Sequence, residues 1–257
     1  MSTGPEPAGG HAARTSRTDR VVEAITQLIL DGRLAPGDRL PVEKDLAASL
    51  DVSRGSLREG VRALAVLGIL ESRQGDGTYV TSLAPALVVR PLGLVLDLQG
   101  VGHAVHLHAV RRLLETEAVG LAAAHARTTP DLLDDAVAAL AGAAEILAAT
   151  PPDVAGGDDD VAAAAHERFL EADLVFHRTI ASAAGNPVLA ALIEALAGRT
   201  ARHRLWRGLE QAGVEVRTQR EHEAILDAVL DGDAERAQVR MAAHLLGVED
   251  FLRNQDG

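Results

Sequence analysis

Along the first eighty positions apolar residues fall three times at helical spacing and then at strand spacing. Val21, Ile25, Leu28 and Ile29 mark one face of a helix over Arg17 to Asp31. Asp31-Gly32 ends it, and the turn-rich run APGDRLP follows. Leu46, Ala47 and Leu50 point inward from a short helix over Glu43 to Leu50. Asp51-Val52 makes a turn, and Ser53 is placed to cap the next helix, Arg54 to Leu67. Leu57, Val61, Leu64 and Ala65 give that helix its buried face, and Gly68 closes it. ILESRQGDGTYV then reads as two short strands around Gly-Asp-Gly, a hairpin signal. Two helices joined by a tight turn, the second capped by Ser and followed by a hairpin, make the plan of a winged helix-turn-helix.

Beyond residue 82 the period is helical throughout. VHLHAVRRLLETEAVGLAAAHA is a long amphipathic helix ending near Arg127, and Thr129-Pro130-Asp131 opens another that runs to about Ala149. TPPDVAGGDDD is an acidic loop rich in Pro and Gly. A helix over 160–184 is stopped by Gly185-Asn186-Pro187, and a further one runs from Val188 to about Leu209. Val216 to Leu230 and Ala234 to Arg253 form a final pair joined at Asp231-Gly232-Asp233. RPLGLVLDLQG reads as one more short helix, and no internal repeat stands out. The expected fold is mostly α. Residues 1–16 form a disordered tail, 17–82 a winged helix-turn-helix of three helices and a β-hairpin, and 83–257 an all-α bundle of six or seven helices.

Composition narrows this picture. Aromatic residues are 2% of the chain against 47% hydrophobic, so Ala, Leu, Val and Ile must build a closely packed helical core. The absence of cysteine excludes disulfides, thiolate ligands and cysteine nucleophiles, and fits a cytoplasmic location. No apolar run approaches the ~20 residues that cross a membrane, and MSTGPEPAGGHAARTSR lacks the apolar segment of a secretory signal. The net charge of −12 is uneven. Residues 1–80 hold 10 Lys/Arg against 11 Asp/Glu, and residues 81–257 hold 15 against 26. The arginines at 54, 58 and 62 therefore stand in a near-neutral third of an acidic chain.

Two constellations carry candidate chemistry. Arg54 and Arg58 lie four apart on one short helix with Ser56 between them, a spacing that suits the major groove. The wing tip, Gln74 to Gly77, is placed for a flanking phosphate or the minor groove. Periodicity alone describes a solvated helix with scattered arginines equally well. In EADLVFHRTI, Asp173 and His177 share a helix face among Leu174, Val175, Phe176 and Ile180. A carboxylate in such an interior costs several kcal/mol unless compensated. His222, on the face of Ile225, Leu226 and Val229, and His244, between Met241 and Val248, are possible partners. An Asp and three His from three helices suit a divalent ion such as Zn²⁺, Ni²⁺, Mn²⁺ or Fe²⁺. The alternative is a set of satisfied buried histidines with an i,i+4 Asp–His hydrogen bond. His103, His106 and His108 span more than one helix face and read as surface or dimer residues. His166 and Glu167 read as solvated, and Asp158 to Asp160 as charge at a helix N-terminus. Gly75-x-Gly77 is a hairpin turn and not a phosphate loop.

The run LPVEKDLAASLDVSRGSLREGVRALAVLGILESRQGDGTYV resembles the DNA-binding domain of the GntR family of bacterial transcription regulators. LP-x-E-x-x-LA, VSR-x-x-x-RE, L-x-x-x-G-I/L and G-x-G-T-x-V occur in order, over about residues 17–81. The resemblance implies that Arg54 and Arg58 touch bases or phosphates, supported by Lys44, Ser53, Ser56 and the wing backbone at Gly75. Asp76 departs from the basic residue usual between the wing glycines, which weakens the wing as an electrostatic anchor. Further on, D-x-x-F/L-H-x-x-I, A-G-N-P, E-H-x-x-I-x-x-A-x-x-x-G-D and a final helix with an inward His resemble the FCD effector domain of the FadR subfamily, over most of 105–252.

That second resemblance implies metal ligation by Asp173, His177, His222 and His244, with two positions of an octahedral ion left for water or a carboxylate. It implies an effector-binding role for Arg111, whose plain alternative is a surface pair with Glu115. Ala109 replaces an acid common in relatives two residues before that arginine. Asn186 stands either at the cavity or simply in the helix stop. The implied protein is not an enzyme. It is a homodimeric regulator, more commonly a repressor, of palindromic operator DNA, governed by a small carboxylate effector at the metal. The competing readings are a metalloenzyme, for which no base or nucleophile stands beside the ligands, and a constitutive DNA binder with a structural metal.

Overall fold

Ser16 starts the first helix by exchanging hydrogen bonds with Asp19. Its hydroxyl accepts from the Asp19 amide (3.0 Å) and its own amide donates to the Asp19 carboxylate (2.9 Å). Helix α1 (Arg17–Leu30) then buries Val21 and Ile25 completely. Helix α2 (Glu43–Ser49) contributes Leu46 and Ala47, and α3 (Arg54–Val66) contributes Leu57 and Leu64. Ser53 caps α3, accepting from the Ser56 amide at 3.0 Å. Strands β1 (Leu70–Arg73) and β2 (Gly77–Val80) pair antiparallel, with Leu70 opposite Val80 and Arg73 opposite Gly77. The alternation places Leu70 and Val80 in the core. The segment before α2 joins this sheet edge through a bridge between Arg39 and Tyr79 and a bond from the Leu40 amide to the Thr78 carbonyl (2.8 Å). This extra edge is absent from the sequence reading, because the loop has no strand period.

The structure, a computed structural model, describes residues 16–87, 89, 91, 93, 104–149, 159–197 and 213–255. It forms two compact units, Met1–Val88 and Val89–Gly257. Residues 1–15 of the expected tail, the loop over 150–158, and most of RPLGLVLDLQG lie outside the described residues; residues 91 and 93 of that segment are helical.

The second unit is all helical among the described residues. It comprises α4 (Ala104–Ala126), a 3₁₀ turn at Pro130–Leu133, α5 (Asp134–Ala149), α6 (Asp159–Ala183), α7 over 187–197, α8 (Val214–Leu230) and α9 (Ala234–Gln255). Its core joins Val119, Ala122 and Ala126 of α4 to Leu140, Phe176, Ile180, Ile225, Val229, Met241 and Leu245. Alanines at the crossings let the helices approach closely. Gly120 marks one such place, where an added Cβ would stand 2.5 Å from the Gln238 amide nitrogen of α9. Two boundaries differ from the sequence reading. Thr129-Pro130-Asp131 opens a 3₁₀ turn before α5, and α8 begins at Val214, after Gly213 in the left-handed conformation (φ 74°). The expected helix to Leu209 is described only to residue 197. No helix among the described residues is long and apolar enough to cross a membrane.

In the first unit α1 and α3 touch at Gly60. A Cβ there would lie 2.5 Å from Cγ1 of the fully buried Val21, and 3.3 Å from the Thr18 carbonyl. Val21 is β-branched and cannot swing aside freely. Gly60→Ala would gain about 1 kcal/mol of helix propensity, and overpacking costs about 1–3 kcal/mol. The expected net result is a lower midpoint in denaturant unfolding, and a higher midpoint would show that α1 can retreat.

Candidate metal centre and nucleic-acid interface

Three helices of the second unit each turn one imidazole into the core. His177 on α6 follows Phe176, His222 on α8 precedes Ile225, and His244 on α9 lies between Met241 and Leu245. All three are buried, and one ring nitrogen from each lies within 4.8 Å of the other two. Nε2 of His222 and Nε2 of His244 are 3.2 Å apart. Two metal–nitrogen bonds of about 2.0–2.1 Å at ordinary coordination angles separate their nitrogens by about 2.9–3.4 Å, so this pair already has the spacing of neighbouring ligands. Asp173, one turn before His177 and also buried, brings Oδ1 to 3.8 Å from His177 Nε2 and 3.7 Å from His222 Nε2. Both distances exceed a hydrogen bond, so the i,i+4 Asp–His bond of the plainer reading is not formed. Phe176 stacks on His222 with ring centroids 4.4 Å apart, which fixes that imidazole in its plane.

Carboxylates hold the far side of two of these rings. His177 Nδ1 bonds Glu115 Oε2, and His244 Nδ1 bonds Glu221 Oε2 at 2.8 Å. An ionised carboxylate only accepts, so Nδ1 carries the proton and donates it in each bond. Burial, together with the Arg111 guanidinium, lowers the His177 pKa and outweighs the pull of Glu115 and Asp173. His177 is therefore neutral, with its lone pair on Nε2. That atom is fully buried and has no hydrogen-bond partner. A neutral imidazole with Nδ1–H on a carboxylate and Nε2 facing other donors is the usual state of a metal-binding histidine. The donor set fits a divalent ion.

Glu115 itself bridges two partners. Oε1 accepts from Arg111 Nε, and Oε2 from His177. Burial pushes its pKa up, but Arg111 and His177 together hold it well below the ordinary carboxylate range. Arg111 is 0% exposed, so the pair with Glu115 is not the surface pair offered as the alternative. His108 is likewise buried, contrary to its reading as a surface or dimer residue, whereas His106 is exposed. His108, Arg111, Glu115, Ala118 and Ala122 repeat at three and four residues on one buried face of α4, a signal the sequence carried. His166 is also buried and not solvated, its Nδ1 paired with Glu215 of α8; Glu167 is exposed as expected. His103 lies outside the described residues. Asn186 is exposed, and its Oδ1 accepts from the Val188 and Leu189 amides at 3.1 Å each. That commits its carbonyl oxygen to capping the start of α7. Glu115 as a support and Glu221 altogether are the site residues that sequence reasoning missed.

In the first unit, Lys44, Ser53, Arg54, Arg58 and Gly75 are exposed, and Ser56 is half-buried. They crowd the start of α2, the start of α3 and the wing tip. The Ser53 hydroxyl is engaged with the Ser56 amide and lies 2.9 Å from the Ser56 hydroxyl. Arg58 is paired with Glu43, its Nε 3.0 Å and its terminal nitrogen 2.9 Å from the carboxylate. Asp76 gathers Arg39, whose guanidinium bonds the Asp76 carbonyl, and accepts from the Tyr79 hydroxyl at 2.7 Å. The wing thus carries a cation borrowed from the preceding loop, a contact that the reading of Asp76 alone did not anticipate.

Comparison with known proteins matches each unit to a family model. Residues 17–80 match the model for bacterial regulatory proteins of the gntR family, and residues 106–247 match the FCD domain. The chain is 34% identical over 232 residues to the HTH-type transcriptional regulator LutR of Bacillus subtilis (strain 168), covering 88% of this chain and 96% of that one. It is 28% identical over 246 residues to the HTH-type transcriptional repressor NanR of Salmonella newport (strain SL254), covering 92% and 85%. A solved GntR structure from Streptococcus agalactiae superposes with a TM-score of 0.62 at 27% identity, covering 91% of this chain and 99% of that one. A helix-turn-helix with an exposed cationic recognition helix, joined to an FCD bundle, belongs to the GntR family of bacterial regulatory proteins: the chain is a DNA-binding transcription regulator and not an enzyme.

Proposed function

We propose that this regulator is a cytoplasmic repressor whose hold on palindromic operator DNA is set by a small carboxylate bound at a divalent ion in the FCD unit. The observation that carries the reading is His177 Nε2, a fully buried nitrogen with no hydrogen-bond partner beside two further imidazoles. Asp173, His177, His222 and His244 would hold the ion, and Glu115 and Glu221 would orient two of the rings. The ion supplies a positive centre for an anionic effector. Arg111, one carboxylate removed from His177, adds the second positive charge of the effector site.

The repressor sign is supported by the name of NanR. A palindromic site follows from a homodimer, which presents two copies of α3 about a two-fold axis. Arg54 and Arg58 would read the major groove, with Lys44, Ser53, Ser56 and the Gly75 backbone in support. Arg58 must exchange Glu43 for DNA, whereas Arg54 makes no ion pair among the described residues. Effector binding need shift operator affinity only by a typical coupling of ~1–3 kcal/mol, and the acid is not consumed.

Two outcomes test this reading, and a third tests the buried Arg111–Glu115 pair that supports it. Elemental analysis of purified protein should find one divalent ion per chain, and His222→Ala should weaken its retention at least tenfold, on the order of the loss seen even for supporting residues; full retention refutes the ligand set. Arg58→Ala should weaken operator binding by about 1–3 kcal/mol in a titration, and unchanged affinity removes Arg58 from the interface. Arg111→Ala leaves Glu115 charged in the core, and should cost about 3–5 kcal/mol in denaturant unfolding; a surface-like loss under 1 kcal/mol would contradict the burial of that pair.

A further inference from the structure

The cations of the first unit divide into two kinds. Arg39, Arg58, Arg62 and Arg73 are each paired with a carboxylate, respectively Asp76, Glu43, Glu59 and Glu71. Arg17 and Arg20 form no ion pair among the described residues, and both are exposed. They line a polar cleft of about 690 Å³ together with Ala47, Ala48, Asp51, Val52 and Ser53. Arg20 reaches across it, with a terminal nitrogen 3.4 Å from the Asp51 carbonyl oxygen. The nearby Asp19 carboxylate is occupied by the Ser16 amide. Asp51 is the only acid lining the cleft among the described residues, so two guanidiniums there outnumber one carboxylate.

The cleft lies at the turn that delivers α3, since Ser53 caps that helix and Arg54 is its first residue. Arg17 is likewise the first residue of α1. A cation in the first turn opposes the positive end of the helix dipole, an effect that Asp19 in the same turn partly offsets. A phosphate in the cleft would pair with both guanidiniums. We propose that Arg17 and Arg20 form a phosphate clamp that seats the DNA backbone next to the bases met by α3. The inference rests on the DNA-binding reading and adds to it two residues, on a different helix, that fix position and affinity without reading sequence.

The test uses the full-length protein and a duplex selected from a random library by the wild-type chain. Each phosphate contact contributes about 0.9 to the slope of log affinity against log salt, so R17A/R20A should flatten the slope by roughly 1.8 and leave the order of preference among duplexes unchanged. R17K/R20K should keep most of the wild-type slope. Arg33→Ala removes one such charge just past the far end of α1, a helix about 21 Å long, and should leave the slope unaltered. An unchanged slope in R17A/R20A, or about half its change in Arg33→Ala, overturns the clamp while the DNA-binding reading stands. Failure of the wild-type chain to select any duplex would overturn both.

Discussion

The carboxylate of Glu115 holds the polar interior of the FCD unit together. One oxygen takes the Arg111 guanidinium and the other the His177 ring, and all three groups are buried. Removing any one would leave a charge or a donor stranded where water cannot reach it. Such a pair is a poor source of net stability, because desolvation offsets most of the attraction. Its consequence here is orientation. Glu115 pins the His177 proton to Nδ1 and thereby turns Nε2 toward His222, His244 and Asp173. The same arrangement recurs on another ring of the cluster, where Glu221 holds His244. Two helices that contribute no ligand contact of their own accord, or only one, thus decide which nitrogen a metal would meet.

The core surrounding this cluster explains why the rings can converge. Alanine and glycine line the crossings of α4 and α9, so the backbones come close and imidazoles on α6, α8 and α9 meet at 3–5 Å. Phe176 is one of three phenylalanines in the whole chain, and it lies against two of those rings, stacked on His222 and edge-on to His177. A bulkier, aromatic-rich core would hold the helices apart and the ligand set open.

The DNA-facing unit solves a different electrostatic problem. The chain as a whole is acidic, but residues 81–257 carry −11 of the −12. At physiological salt a field decays over about 8 Å, so the phosphate backbone responds to the local surface. There, cations held by carboxylates and cations left without one are interleaved. The Arg58–Glu43 and Arg39–Asp76 pairs keep guanidiniums ordered in the absence of DNA, while Lys44 and Arg54 stand at helix starts with no ion pair among the described residues. Both pairs are more than half exposed and add little stability. Such exposed pairs cost little to exchange for another anion.

Local pattern alone determined the helices, the hairpin and the caps at Ser53 and the Gly-rich turns, because helical and strand periods are written in neighbouring residues. It also placed Asp173 and His177 on one face, and His222 and His244 on apolar faces of their own helices. What it could not supply was which faces meet. The partners of His177 and Arg112 are 62 and 137 residues away, and spacing along one helix says nothing of a facing one. For that reason Glu115 appeared only as a surface partner, Glu221 not at all, and His108 and His166 on the wrong side of the surface. Arg39 went unassigned because its bridge to Tyr79 depends on a loop laid against a strand. Tertiary packing, by burying α4 against α6 and α9, turned an ordinary Arg-x-x-x-Glu spacing into the support of the candidate metal centre.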